Sequence, residues 1–404
     1  MGLSAPLVWW LSGCGTNSDD PSFQPRPIGP AVFLGATTCS SCHAEVGETY
    51  ALHGHAHALT AIQGEPPDFP EIAQPSQSIE PPDGLEWEDI SFLIGGYTKA
   101  ANAVDSGGNL LVDDSTGDYV QYNRAHPVTG TPAGWAPFEQ DQVTGQPFEC
   151  FVCHTTGAER FEDNGGRRQG NRPGIGGTWA EGRVGCEACH GPGSRHIPAP
   201  EQGNITVDSS AKLCGTCHSQ GDPPEQILVE EGFLLGNQQF AEVQASPHAD
   251  FNCTVCHDPH RSVTYDRERA IRNECQTCHQ ERDLASHEGK VFTQGDYTEA
   301  LACTSCHMSL ASKTAISATQ ERTNGNGGRI GDTRTHVMWI NTEPVGLTDV
   351  LGAEDGVWPT DEQGRAAITL DFICLRCHTG LGNAFPLNLA AAAGIAPNLH
   401  DTSE

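Results

Sequence analysis

Basic residues are scarce in this chain. Twenty-two Lys and Arg stand against 52 Asp and Glu, a formal net charge of −30. Nucleic-acid binding needs a basic footprint that displaces counterions, so that class is excluded. Apolar residues are also few, at 37%, with aromatics at 7%. An ordinary globular chain carries about 45–50% apolar residues. With 46 Gly and 27 Pro among 404 residues, side chains alone would struggle to fill a core. No internal apolar run approaches the roughly 18 residues of a membrane-spanning helix. Methionine is nearly missing, with three in the chain. Something other than side chains must fill the interior.

Cysteine, in contrast, is abundant. Of 17 Cys, 16 fall into eight pairs, each with two residues between and His directly after. In chain order the motifs are Cys39-x-x-Cys42-His43, Cys150-x-x-Cys153-His154 and Cys186-x-x-Cys189-His190. Then come Cys214-x-x-Cys217-His218, Cys253-x-x-Cys256-His257 and Cys275-x-x-Cys278-His279. Cys303-x-x-Cys306-His307 and Cys374-x-x-Cys377-His378 complete the set. Two thiols three positions apart reach the two vinyl groups on one porphyrin edge and form thioethers. The adjacent His then lies under the iron and supplies the proximal nitrogen.

A disulfide scaffold does not account for the regular pairing or for the His. Zinc ribbons use Cys-x-x-Cys but do not require His next. Random placement would put His there about once in twenty. The spacing therefore predicts eight c-type haems with their iron. The second to seventh motifs start 22 to 39 residues apart. Segments that short cannot enclose a macrocycle alone, so neighbouring haems are expected to pack on one another.

Ten His remain for the opposite faces of the irons: His53, His55, His57, His126, His196, His248, His260, His287, His336 and His400. Bis-His ligation suits electron transfer, whereas Met ligation would raise the potential. Met308 directly follows a proximal His and cannot reach the far face of the same iron. His260 follows His257 by three residues, which span at most about 10 Å. That is too short to round the macrocycle, so His260 is expected to serve a neighbouring haem. His196, after motif three, follows the same logic. The expected distal set is His55, His57, His196, His248, His260, His287 and His336. The eighth iron takes His126 or His53, or stays open. His400, in the tail, is set aside.

The N-terminal Met1–Cys14 is mostly apolar and ends in Leu11-Ser12-Gly13-Cys14, similar to a bacterial lipobox, although no Lys or Arg precedes it. It reads as a lipoprotein-type signal segment over 1–14, with a lipid anchor at Cys14. A flexible tether over 15–35, an octahaem body over 36–380 and a tail over 381–404 follow. The expected location is exported: an outer-membrane lipoprotein, periplasmic or extracellular. The acidic surface suits redox partner proteins with a basic docking face.

The run GTWAEGRVGCEACHGPGSRH, with FNCTVCHDPH and TSCHM, resembles the multihaem cytochromes related to octahaem tetrathionate reductase and hydroxylamine oxidoreductase. CSSCHAEVGETYALHGHAHA and ISFLIGGYTKAANAVDSGGNLLV are similar to segments of the same superfamily. The resemblance runs from about Gly35 to Gly380. It implies a multihaem cytochrome c fold: mostly short α-helices and irregular loops around a closely packed haem chain. A small β-hairpin element is expected near residues 85–122, turning at Ser106-Gly107-Gly108-Asn109. The superfamily includes carriers and enzymes, and neighbouring families polymerise into filaments. Departures are visible. All eight motifs end in His, where reductase branches often use Lys at the catalytic haem. None of the six Tyr matches the cross-linked Tyr of hydroxylamine oxidoreductases. Electron transfer is therefore the expected function, possible also within a homopolymer or cytochrome complex. The alternative is an oxidoreductase acting on nitrite, hydroxylamine or tetrathionate at one five-coordinate haem.

Overall fold

The computed structural model describes residues 30–70, 78–112, 120–126, 129–137, 146–314, 327–352 and 356–400. The signal segment with Cys14, and most of the tether, lie outside the described residues. Within them helices are short. The longest, Ala44–Tyr50 and Leu389–Ile395, have seven residues each. Helices of that length are marginal in water by themselves, so tertiary contacts must hold them. No described helix is long and apolar enough to cross a membrane.

The motifs supply many of these turns. His43, His154, His218, His257, His279 and His378 each donate a backbone N–H to the carbonyl of the first Cys of their motif, at 2.9–3.1 Å. Helices Cys186–His190 and Cys303–His307 span the other two motifs. One helical turn puts residues i and i+3 on the same face. Both thiols of a pair thus point one way, with the imidazole beside them.

The strand content exceeds the expected hairpin. Leu59–Ala61, Ile90–Gly95, Ala101–Asp105, Val120–Asn123 and Gly134–Pro137 form a five-stranded antiparallel sheet in chain order. Its tightest hairpin turns at residues 96–100, where Gly96 N–H donates to the Ala100 carbonyl at 2.8 Å. Gly95 and Gly96 have φ of +71° and +84°, which only glycine adopts without strain. Ser106–Asn109 is also a turn, closed by the Val104–Leu110 bridge.

Strand Ile90–Gly95 is buried along almost its whole length because both faces are covered. Phe92 and Ile94 pack with Phe148, Phe151, Ile175 and Trp179. Leu93 packs on the other side with Ile79, Trp87, Ala103 and Tyr122. A register shift between Ile90 and Phe92 brings Ile90 onto the Leu93 side. Phe151 lies inside the second motif, so this sheet fixes the position of His154.

A second core gathers Phe233, Leu234, Val337, Leu347, Trp358 and Phe372, with Cys306 and Cys374 packed against it. It lies on a four-stranded mixed sheet ordered Ser312–Lys313, Phe233–Leu235, Leu228–Glu230, Gly356–Val357. Leu389–Ile395, inside the segment expected as a tail, is a helix docked through Ala392 on Leu370 and Leu375.

Candidate haem centres

Seven of the eight proximal imidazoles face a second imidazole. The pairs are His43–His196, His218–His55, His190–His260, His279–His248, His257–His336, His378–His287 and His307–His400. Their ring centroids are 6.0–6.3 Å apart. Two imidazoles on opposite faces of one iron put their centroids about 6 Å apart, because each metal–nitrogen bond is roughly 2 Å and each centroid lies about 1 Å beyond it. The separation is that of two axial ligands.

The second ring nitrogens are held as well. Proximal His154, His190, His307 and His378 hydrogen-bond through Nδ1 to the carbonyls of Ala58, Thr206, Met338 and Phe385, at 2.8–3.0 Å. His218 uses the Gln239 side-chain oxygen at 3.1 Å. Such bonds fix the tautomer and leave Nε2 for the metal. Burial, before the neighbouring rings, holds His55 down at about 3 and His257 at about 4. Both are neutral at physiological pH, as metal ligands must be. The donor set fits haem c, and so do the apolar surfaces beside it. Val46, Ile197, Phe251, Val255, Leu381 and Phe385 are exposed next to motifs or facing imidazoles, where a porphyrin would cover them.

Residues 136–191 match the family described as cytochrome c554 and c-prime. The chain is similar in structure to the Wolinella succinogenes octaheme sulfite reductase MccA, at TM-score 0.56 and 20% identity, over 91% of this chain and 67% of that one. It is similar to the outer cell wall cytochrome OcwA, at TM-score 0.50 and 16% identity, over 90% of this chain and 86% of that one. The fold is that of a multihaem c-type cytochrome.

In this fold the motifs touch one another. The thiols of Cys39 and Cys186, Cys153 and Cys217, and Cys214 and Cys253 lie close enough for each to shift the ionisation of its partner. Cys153 Sγ also lies 3.8 Å from the Thr216 carbonyl, inside the fourth motif. Motifs one and three, two and four, and four and five are thus in direct contact.

Motifs seven and eight join through a buried ionic cluster. Arg376, within the eighth motif, binds both carboxylate oxygens of Glu299, at 2.7 and 3.2 Å, and the Ser305 carbonyl at 2.8 Å. Arg334 binds Glu299 at 2.9 Å and the Thr304 and Met308 carbonyls at 2.7 and 3.0 Å. Burial opposes ionisation of Glu299, but the Arg376 charge and the surrounding hydrogen bonds prevail and hold its carboxyl well below the ordinary range.

Expectations about four individual histidines need correction. His57 does not stand opposite a proximal ring. It lies two residues after His55 on the 3₁₀ turn Gly54–His57. With three residues per turn, neighbours at that spacing diverge. His57 instead packs on Tyr97, with ring centroids 4.2 Å apart, and its Nε2 meets the Ala51 carbonyl at 2.9 Å. His126 sits in a local turn, bridged to Thr131, with Nδ1 3.4 Å from Thr129 Oγ1. It faces none of the eight proximal rings. His400, set aside from sequence, faces His307 and anchors its Nδ1 on the Asp283 carbonyl at 2.9 Å. His53 is not opposite a proximal ring either: its Nδ1 accepts the His55 N–H at 3.0 Å and caps the turn that presents His55. Among the described residues, no imidazole faces His154. Periodicity or spacing could not have found His400, because its partner is far away in the chain.

Proposed function

We propose that the chain is an electron-transfer cytochrome carrying eight c-type haems, with seven of the eight irons held between two His. Haem iron supplies the chemistry by cycling between ferrous and ferric states. The observation that carries the reading is the set of seven facing imidazoles at ligand separation. The proximal ligands are the eight motif His. The distal ligands are His196, His55, His260, His336, His248, His400 and His287, for motifs one, four, three, five, six, seven and eight respectively. Two fixed imidazoles at one iron exclude other ligands and favour electron exchange over chemistry at the metal. Contacts between motifs support close packing of the haems, as rapid transfer between them requires.

A second reading is favoured by His154. With no second imidazole opposite it, that centre could take a small nitrogen or sulfur compound, and the chain would be an oxidoreductase. Candidates are nitrite, hydroxylamine and tetrathionate, with sulfite added from the activity named for MccA. Electron paramagnetic resonance of the ferric protein tests both readings. Eight haems per chain, with seven low-spin signals and one high-spin signal, is the expected result. A wholly low-spin spectrum and no turnover of these compounds would eliminate the oxidoreductase. Fewer than eight haems, or several high-spin centres, would overturn the assignment as a whole.

Export, with a lipid anchor at Cys14, is part of the same proposal, as are an acidic docking face for basic redox partners and assembly into a homopolymer or cytochrome complex. Mass spectrometry of the mature N-terminus tests the anchor. Finding no lipid on Cys14 would exclude it.

A further inference from the structure

Met338 touches the ligands of two different centres. Its carbonyl accepts the Nδ1 hydrogen bond of His307, the proximal residue of the seventh motif, at 3.0 Å. Its thioether sulfur lies 3.0 Å from Nδ1 of His248, which faces His279 of the sixth motif. The backbone there is unusual. Met338 has φ of +63°, and the Trp339 N–H donates to the Val337 carbonyl across it at 2.8 Å. A three-residue turn with positive central φ is rare and strained for a residue with a Cβ. Such a turn sends carbonyl and side chain in different directions, which lets one residue reach both imidazoles.

We infer that Met338 is a positioning residue shared by the sixth and seventh centres. This role rests on the bis-His reading proposed above. The carbonyl sets the tautomer and orientation of His307. The thioether, a weak acceptor, holds the His248 ring in place. The His248 and His279 planes are 87° apart. A ring free to rotate would not keep that angle. Phe251 also packs on His248, with centroids 5.2 Å apart, but offers Nδ1 no lone pair.

The test uses the full-length holoprotein, with haem count, electron paramagnetic resonance and a redox titration. Perpendicular axial rings give a strongly anisotropic low-spin signal, and parallel rings a more rhombic one. Met338→Leu keeps the carbonyl and removes the sulfur, so one strongly anisotropic component should shift while the other centres stay unchanged. Met338→Gly accepts the positive φ without strain, keeps the carbonyl and removes the whole side chain, and should move the same single component. Met338→Ile is β-branched and disfavours the turn, so it should displace the carbonyl as well and shift two centres. A spectrum and potentials unchanged in the Leu and Gly variants, at full haem content, would overturn the role. So would a uniform shift of all centres, which marks a general structural effect. A wild-type protein with fewer than eight haems overturns the underlying reading, whereas one with eight haems but without the anisotropic component overturns the role alone.

Discussion

His260 stands opposite His190 with ring centroids 6.2 Å apart and planes 7° from parallel. It does so although it follows His257, in another motif, by three residues. His257 instead faces His336 from far along the chain. The short link could not pass round a macrocycle, and on the proposed ligation it would join two centres. Asp258 holds the turn: its carboxylate accepts the His260 N–H at 3.0 Å and lies 3.3 Å from His260 Nδ1.

Replacing His260 with Ala should therefore change the third centre and not the fifth. The expected outcome is one added high-spin signal, with that centre newly able to bind cyanide or carbon monoxide. Resonance Raman spectroscopy of the variant, beside His336→Ala for the fifth centre, checks the assignment. Identical effects from the two variants would contradict the crossed arrangement.

The ring angles predict two kinds of low-spin signal. The sixth and eighth centres have planes 87° and 88° apart. The first, third and seventh have planes within 18° of parallel. Low-temperature electron paramagnetic resonance should accordingly show two strongly anisotropic components beside at least three rhombic ones. A spectrum of one kind only would show that the rings turn from these orientations when the metal binds.

His400 faces His307 of the seventh motif from the end of the described chain. His400→Ala should leave the haem content intact and convert one low-spin centre to high spin. Optical and magnetic spectra compared with the wild type measure it. No change would mean that another group occupies that position.

What the sequence disclosed follows from locality. Each Cys-x-x-Cys-His motif is complete within five residues, so all eight motifs were legible without a fold. The rule that His260 must serve a neighbour was also local, since it needs only the length of three residues. Which neighbour it serves was not. His55 finds His218 only because the 3₁₀ turn at Gly54–His57 is capped by His53 and tied through Ala58, whose carbonyl binds both Gly95 N–H and His154. His57 looked equivalent to His55 by composition, and rotation about that turn separates them. His400 looked like tail, and the docking of Ala392 on Leu370 and Leu375 brings it inward. The five-stranded sheet outgrew its expected hairpin because its outer strands, Leu59–Ala61 and Gly134–Pro137, lie beyond the segment with evident alternation.

Glu299 should dominate the acid sensitivity of the region around the seventh and eighth motifs. Its folded value lies below the ordinary value of 4.5. The stabilisation is therefore complete above that ordinary value and is lost as pH falls through the lower folded value. Glu299→Gln leaves Arg376 buried and uncompensated, which costs about 3–5 kcal/mol. Denaturant unfolding of the holoprotein across pH checks both statements. The variant should have a lower midpoint and a flatter acid limb, and an unaltered midpoint would refute the role.

The crossed imidazole pairs also have a mechanical meaning. Each would tie the segment that owns the thioethers to a different segment that lends only a ring, so the backbone is laced through its own centres. A cut between two motifs would then not release a fragment. A protease-nicked molecule should migrate as one particle under native conditions and separate into haem-stained pieces only when the distal bonds are broken by denaturant.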